Sequence, residues 1–434
     1  MKTGLSDAPA RWLVIALVFA AGVWLFAQRV LIPYQMGDAT VHERPRGNLS
    51  DLYPRWLGAR ELLLHGRDPY SPEVTKQIQA GYYGRVLDPS RPGDPKDRQG
   101  FAYPLYVVFW LLPIVHLPFS IVQKVFLALL LVLTIANALL WLRLLGMRST
   151  RTGEFVIAIF TIGSLAVMQG LKLQQISLLV AGLLAIAIWL LVADHQIAAG
   201  IVLALASVKP QLVILLLLWL AIWTFGDLRR RCRWAAAFAV VMAVQIAAAE
   251  YYLPHWIPRF WQAVREYREY TGAISVSEVL VGTALGRAIE VLAFAILLRL
   301  CWRARVQAAS SPAFAATTSV VIALVVLLIP TDSVYNQVLL IPAVLLLVRD
   351  WRSFWTQDSL TRIVFGVAAI LVIWPWISSV ALALLSLLIS PQTVQRAWAV
   401  PFWTVVPTPL GVAALMLVRA DRWIFADSVV AATS

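Results

Sequence analysis

The residues best suited to chemistry in this sequence are isolated polar side chains in apolar surroundings. Asp51 lies near the start of the segment Asn48 to Gly66 (NLSDLYPRWLGARELLLHG), just beyond the first hydrophobic run. A carboxylate there suits a general base acting on a hydroxyl, and it equally suits the N-cap of the helix that follows. Arg55, one turn on, fits an ion pair with that carboxylate or a hold on a phosphate. Lys209 sits inside an apolar stretch from Ala204 to Leu218, where an unpaired ammonium is costly. Its expected partner is an anionic headgroup or phosphate; a neighbouring helix or snorkelling to water are the plainer alternatives. Gln169, Lys172, Gln174 and Gln175 form a polar island that a turn between two helices would also explain. After Pro330, the outer turn TDSVYNQ offers Asp332 and Asn336 for sugar hydroxyls or a phosphate-bound cation, with helix capping as the plain alternative.

The elements that must position these residues are membrane helices. Of the 434 residues, 60% are hydrophobic and only 14% charged, and the mean hydropathy is +0.77. Soluble domains carry roughly 25% charged residues. Apolar runs recur from Trp12, Ser120, Trp234, Val281, Phe314, Arg362 and Pro401 onward. They lack the period-two alternation of a barrel, so lipid forces them into helices. The expected fold is all-α and polytopic, one transmembrane domain over residues 1–434 with about twelve spans. Two stretches are open: 103–118 reads as a short span or a re-entrant segment, and 198–225 as one kinked helix or two short ones meeting at Lys209-Pro210.

The net charge of +13 falls in short clusters at helix ends, which fits membrane topology and not nucleic acid. Placing Arg148 and Arg151, Arg229 to Arg233, Arg303 and Arg305, Arg349 and Arg352, and Arg419 and Arg422 in the cytoplasm puts both termini inside. Residues 34–100 then form a large extracytoplasmic first loop, holding nine of the 23 acidic residues of the chain. Within it, residues of about 50–65 read as an interfacial helix with Leu52, Trp56, Ala59 and Leu63 on one face, Ser50 or Asp51 as cap, and Gly66 at its end. Prolines, glycines and charges over 82–98 read as a mobile loop able to close over a substrate. Cys232 and Cys301 fall at cytoplasmic helix ends, where no disulfide is expected.

Walker, dinucleotide-binding, His-Glu-x-x-His and Gly-x-Ser-x-Gly signatures are all missing. The order of weaker features is informative: Ser50-Asp51-Leu52, Trp56, Ala59-Arg60, Leu62, Gly66 and Asp68-Pro69-Tyr70, then an aromatic-Ala-Tyr103-Pro104 entry into the membrane. Gln175 to Val180, Ala199-Gly200, Lys209-Pro210 and the turn at Tyr335-Asn336 follow. This series, over roughly 12–350, resembles the integral-membrane glycosyltransferases of family 87, although Tyr103-Pro104-Leu105 and Leu173-Gln174-Gln175 stand where members often carry Tyr-Pro-Pro and Gly-Gln. The resemblance implies a GT-C type fold in the bacterial cytoplasmic membrane, with the active site facing outward. It implies transfer of a sugar, mannose by family default, from a polyprenyl-phosphate donor to a lipid or glycan acceptor with inversion. Asp51 would be the catalytic base, with Arg55, Gln175, Lys209, Asp332, Tyr335 and Asn336 contacting substrate. No cofactor or metal is implied. A secondary transporter or a flippase for lipid-linked substrates is the rival class, for which Lys209 and the proline-broken helices would form a binding site.

Overall fold

The computed structural model describes residues 9–44, 50–91, 93–272, 274–329 and 333–433. Every regular element among them is helical. Five helices are long and apolar enough to cross a membrane: Ala10–Val41, Phe119–Leu144, Leu228–Tyr252, Ser359–Leu388 and Pro391–Ile424. A pair bent by 63°, Arg151–Ile162 with Leu165–Leu173, makes a sixth if it is one broken span. Length and composition therefore account for five or six of the twelve crossings expected. Most of the remaining apolar helices are shorter; Ile176–Val192 has 17 residues, about 25 Å at 1.5 Å per residue, against a hydrocarbon core of about 30 Å.

Contacts between distant parts of the chain define two ends of the bundle. At one, Gln196 donates to the Arg230 carbonyl at 2.7 Å, Arg231 reaches the carbonyls of Trp223, Arg305 and Gln307, and Arg349 reaches that of Leu145. Arg303 pairs with Asp421, and Arg419 meets Ser353. The arginine clusters thus collect at a single end. Helices Phe119–Leu144 and Ile176–Val192 lead from it to the other, where Gln174 holds the Gln123 carbonyl and Asp51 lies.

The stretch 198–225 forms two helices, Gln196–Ala206 and Pro210–Phe225. Both begin or end at the basic end, because Gln196 meets Arg230 and Trp234 donates to Thr224 at 2.9 Å. They make a hairpin whose apex, Ser207 to Lys209, points to the Asp51 end. Pro210 suits the first position of the descending helix, where its missing N–H is not needed. Residues 105–114 are a run of short helical turns broken at Pro113. Ten residues reach only about 15 Å, so this stretch is too short to cross a bilayer as one helix.

The helix expected over about 50–65 is present as Leu52–His65, which Gly66 ends in a left-handed conformation at φ 64°, whereas the first long helix runs on to Val41, into the loop expected from residue 34. Gly66 N–H bonds to the Leu62 carbonyl and Arg67 N–H to that of Glu61, closing the last turn. Leu52, Trp56 and Ala59 are buried as a face against Phe119 and the 105–114 turns. A second helix, Pro72–Tyr83, is capped by Ser71. Within 82–98, several of the described polar groups are held by hydrogen bonds and ion pairs. Arg85 pairs with Asp94 and donates to the carbonyls of His42 and Glu43. Gln79 clasps the Arg98 carbonyl and the Leu87 N–H, while Tyr83 holds the Asp97 carbonyl. Hydrogen bonding from Arg85 is the largest influence drawing the Asp94 carboxyl down to about 2.

Candidate active site

Asp51 does not cap its helix. Its backbone, at φ −65° and ψ −4°, is already helical, so the carboxylate cannot turn back onto the first amides as a cap in the extended region does. The backbone N–H of Asp51 instead bonds to the Leu173 carbonyl at 2.9 Å, tying the loop helix to the bend before Gln175. The freed carboxylate accepts from Gln175 Nε2 on one oxygen and from Tyr82 OH at 3.4 Å on the other. Gln174, in the left-handed region at φ 52°, makes the sharp reversal that places Gln175 at the start of helix Ile176–Val192. The Gln175 side chain caps nothing there, and it is directed to Asp51.

Arg55 is 2% exposed and forms no ion pair with Asp51. Its Nη2 donates to Tyr103 OH at 2.5 Å, and Tyr70 OH holds the Tyr103 carbonyl at 2.6 Å. The Nε and Nη1 of Arg55 are buried with no partner among the described residues. An unpaired buried donor costs about 1–3 kcal/mol, and more on a charged group; the guanidinium lies 4.2 Å from the centre of the Tyr103 ring, and its two unused donors leave it able to bind an anion. Against it lies a cavity of about 10 Å³ whose other walls, including Leu52, Trp110, Phe126 and Ile176, are apolar. That space holds no more than about one water, so a phosphate would have to approach from another side.

Lys209 meets the same cluster from the hairpin apex. Its ammonium donates to Ser177 Oγ at 2.7 Å and to Asn336 Oδ1 at 3.3 Å, and lies 5.0 Å from the centre of the Tyr335 ring. Ser177 in turn donates to Asn336 at 2.7 Å. Lys172 donates to Gln35 on the first long helix, just beyond the π-helical stretch Ala27–Leu31. Pro33 there lacks the N–H of a regular ladder, and the wider turn accommodates it.

The surrounding protein desolvates the Asp51 carboxyl and pushes it up to about 6; Arg55 and Lys209 oppose that rise and Asp97 adds to it. Tyr267, on helix Trp256–Thr271, also lies within electrostatic range of Asp51, Asp97, Tyr103 and Arg55. A carboxylate near neutrality flanked by two cations can take a proton while negative charge builds beside it.

Six of the seven expected site residues thus converge: Asp51, Arg55, Gln175, Lys209, Tyr335 and Asn336. Asp332 lies outside the described residues. Tyr82, Ser177 and Tyr267 join them without having been singled out as site residues. Nothing local marks them, since their partners lie 31 residues away for Tyr82 and 159 for Ser177. Among the described residues, no group of three His, Cys, Asp or Glu side chains is arranged to hold a metal.

A family model described as glycosyltransferase family 87 matches residues 101–330, more than half of the chain. The match includes Tyr103, Gln175, Ser177, Lys209 and Tyr267, while Asp51, Arg55 and Asn336 lie beyond it. No curated protein and no solved structure matches the chain.

Proposed function

We propose that this chain, which belongs to glycosyltransferase family 87, transfers a sugar from a polyprenyl-phosphate donor at the outer face of a membrane. The acceptor is a lipid or glycan hydroxyl and Asp51 is its base. The observation that carries this reading is the release of the Asp51 carboxylate from helix capping into a cluster with Gln175, Tyr82, Arg55 and Lys209. In the step itself, the acceptor O–H proton passes to Asp51 as the acceptor oxygen bonds to the anomeric carbon. The bond from that carbon to the phosphate oxygen breaks, and its electron pair leaves with the lipid phosphate. Arg55 and Lys209 stabilise that departing charge. A single displacement inverts the anomeric centre, and mannose is the sugar that the family resemblance suggests.

A lipid-borne donor arrives already at the membrane, which suits a site made from a first loop, the short turns of 105–114 and a helix hairpin. The twelve-span arrangement with both termini cytoplasmic is part of the same proposal. It is supported by the collection of the arginine clusters at the end opposite Asp51. Asp51→Asn, purified and supplied with polyprenyl-phosphate mannose and membrane extract as acceptor source, is expected to lose transfer by at least about 10³-fold while keeping its melting profile. Transfer at the unaltered rate in that variant would remove Asp51 as the base.

A further inference from the structure

A second polar site lies at the same end of the molecule, apart from the Asp51 cluster. Helix Trp256–Thr271 ends at Gly272 in the left-handed region, and a capped turn, Val276–Val281, leads into helix Thr283–Ala304. Between them is a groove of about 620 Å³ lined by Arg265, Arg268, Glu269, Glu278, Thr283 and Arg287. Residues 265, 268, 269 and 272 recur at helical spacing and share one face, whereas Tyr267, directed to the Asp51 cluster, is on the opposite side. One helix, about 10 Å across, separates the two sites.

Three arginines and two glutamates line the groove, which leaves one positive charge over. Glu278 is engaged by the Ser275 N–H at 3.2 Å and by Arg287 at 2.9 Å. Those partners, the Ser275 amide first, hold its carboxyl below the ordinary range. Among the described residues, Arg265 and Arg268 have no carboxylate partner. Glu269 opposes only part of their charge. Ile274 lines the groove, and Val279, Val281 and Leu285, close in sequence to its other lining residues, are likewise exposed, all four with 40–57% of their surface free. Basic groups between an amphipathic helix and the start of an apolar one, beside exposed aliphatic side chains, suit the place where headgroup and acyl chain meet.

We infer that this groove binds the phosphate of a lipid headgroup, with Arg265 and Arg268 as its ligands and the exposed aliphatic side chains beside it against the acyl chains. Two sources carry that chemistry, an ordinary anionic phospholipid and a polyprenyl phosphate. The inference stands beside the transfer reading, and its test needs no transfer activity. Native mass spectrometry of the full-length protein in detergent, with phosphatidylglycerol or polyprenyl phosphate added separately, counts and ranks the bound lipids. Arg265→Gln/Arg268→Gln is expected to weaken binding about tenfold for at least one of the two, while Arg265→Lys/Arg268→Lys keeps most of it. Both side chains are exposed, so the fold is expected to persist, and the single variants serve where the double one is poorly behaved. A loss confined to polyprenyl phosphate assigns the groove to a lipid-linked substrate or product; a loss confined to phosphatidylglycerol assigns it to the bulk membrane. Equal binding of both lipids by the glutamine variant and the unaltered protein overturns the site.

Discussion

At the scale of the residue, the chemistry turns on how Asp51 is held. A base must be ionised to accept a proton, so with its carboxyl pushed up to about 6 the proposed transfer should fall away below that pH. Activity is expected to rise about tenfold per pH unit on the acid side and to level above about 7. Gln175 donates to the charged form of the carboxylate, and loss of that donor favours the neutral form. Gln175→Ala should therefore move the acid limb to higher pH as well as lower kcat by roughly 10²-fold through misplacement of the base. Rates measured from pH 5 to 8 check both effects, and an unmoved limb would return Gln175 to a purely structural role. The type and place of Asp51 were legible in the sequence, as were Arg55 and Lys209, because each is a charge in an apolar context. What was not legible was the choice between cap and base. That choice depends on a backbone angle at Asp51 and on a side chain 124 residues away, neither of which leaves a mark in the local pattern.

At the scale of the element, the hairpin Gln196–Ala206 and Pro210–Phe225 delivers Lys209 to the site. Its ascending helix lies hard against helix Leu228–Tyr252. A Cβ added at Gly200 would run into the Trp234 carbonyl and come within 2.9 Å of both Ala237 Cβ and the Phe238 amide. Two of those three obstacles are backbone, so relief requires the helices to part. Gly200→Val is expected to cost about 1–3 kcal/mol by overpacking and to lower transfer by displacing the apex. Gly366→Ala, where an added Cβ meets nothing within 4 Å, should be neutral or slightly stabilising. Thermal unfolding of the two variants in detergent gives the comparison; equal melting temperatures would mean that the contact does not hold the hairpin. Lys209-Pro210 announced a break in the sequence, and the break is there. The reversal of direction was not readable from it, since a proline marks a helix start as well as a kink. The contact from Gln196 to Arg230 resolves it. The opening helix of the first loop was readable because Pro54 and Gly66 delimit it. In the 82–98 stretch Arg85 gathers Asp94 and two carbonyls, contacts with distant residues that the local run of charges, prolines and glycines does not announce.

At the scale of the whole molecule, the proposed reaction depends on which end of the bundle faces out, because a lipid-linked donor and an outer-face acceptor must meet Asp51 on one side. The arginine-rich end carries Cys232, exposed, and helix Thr283–Ala304 brings Cys301 to the same end, buried. The loop end carries Val86, 45% exposed. These three positions supply a test of sidedness within the full chain. In intact spheroplasts, a membrane-impermeant maleimide should leave Cys232 unlabelled and should label a Val86→Cys variant. After permeabilisation both should react, with Cys301 still protected by burial. The prediction follows from the positive-inside bias of the clusters at Arg229 to Arg233 and Arg303 to Arg305, which meet through Arg231 and the Arg305 carbonyl. Labelling of Cys232 in intact spheroplasts would invert the molecule. Asp51 would then face the cytoplasm, and a donor displayed on the outer leaflet could not reach it.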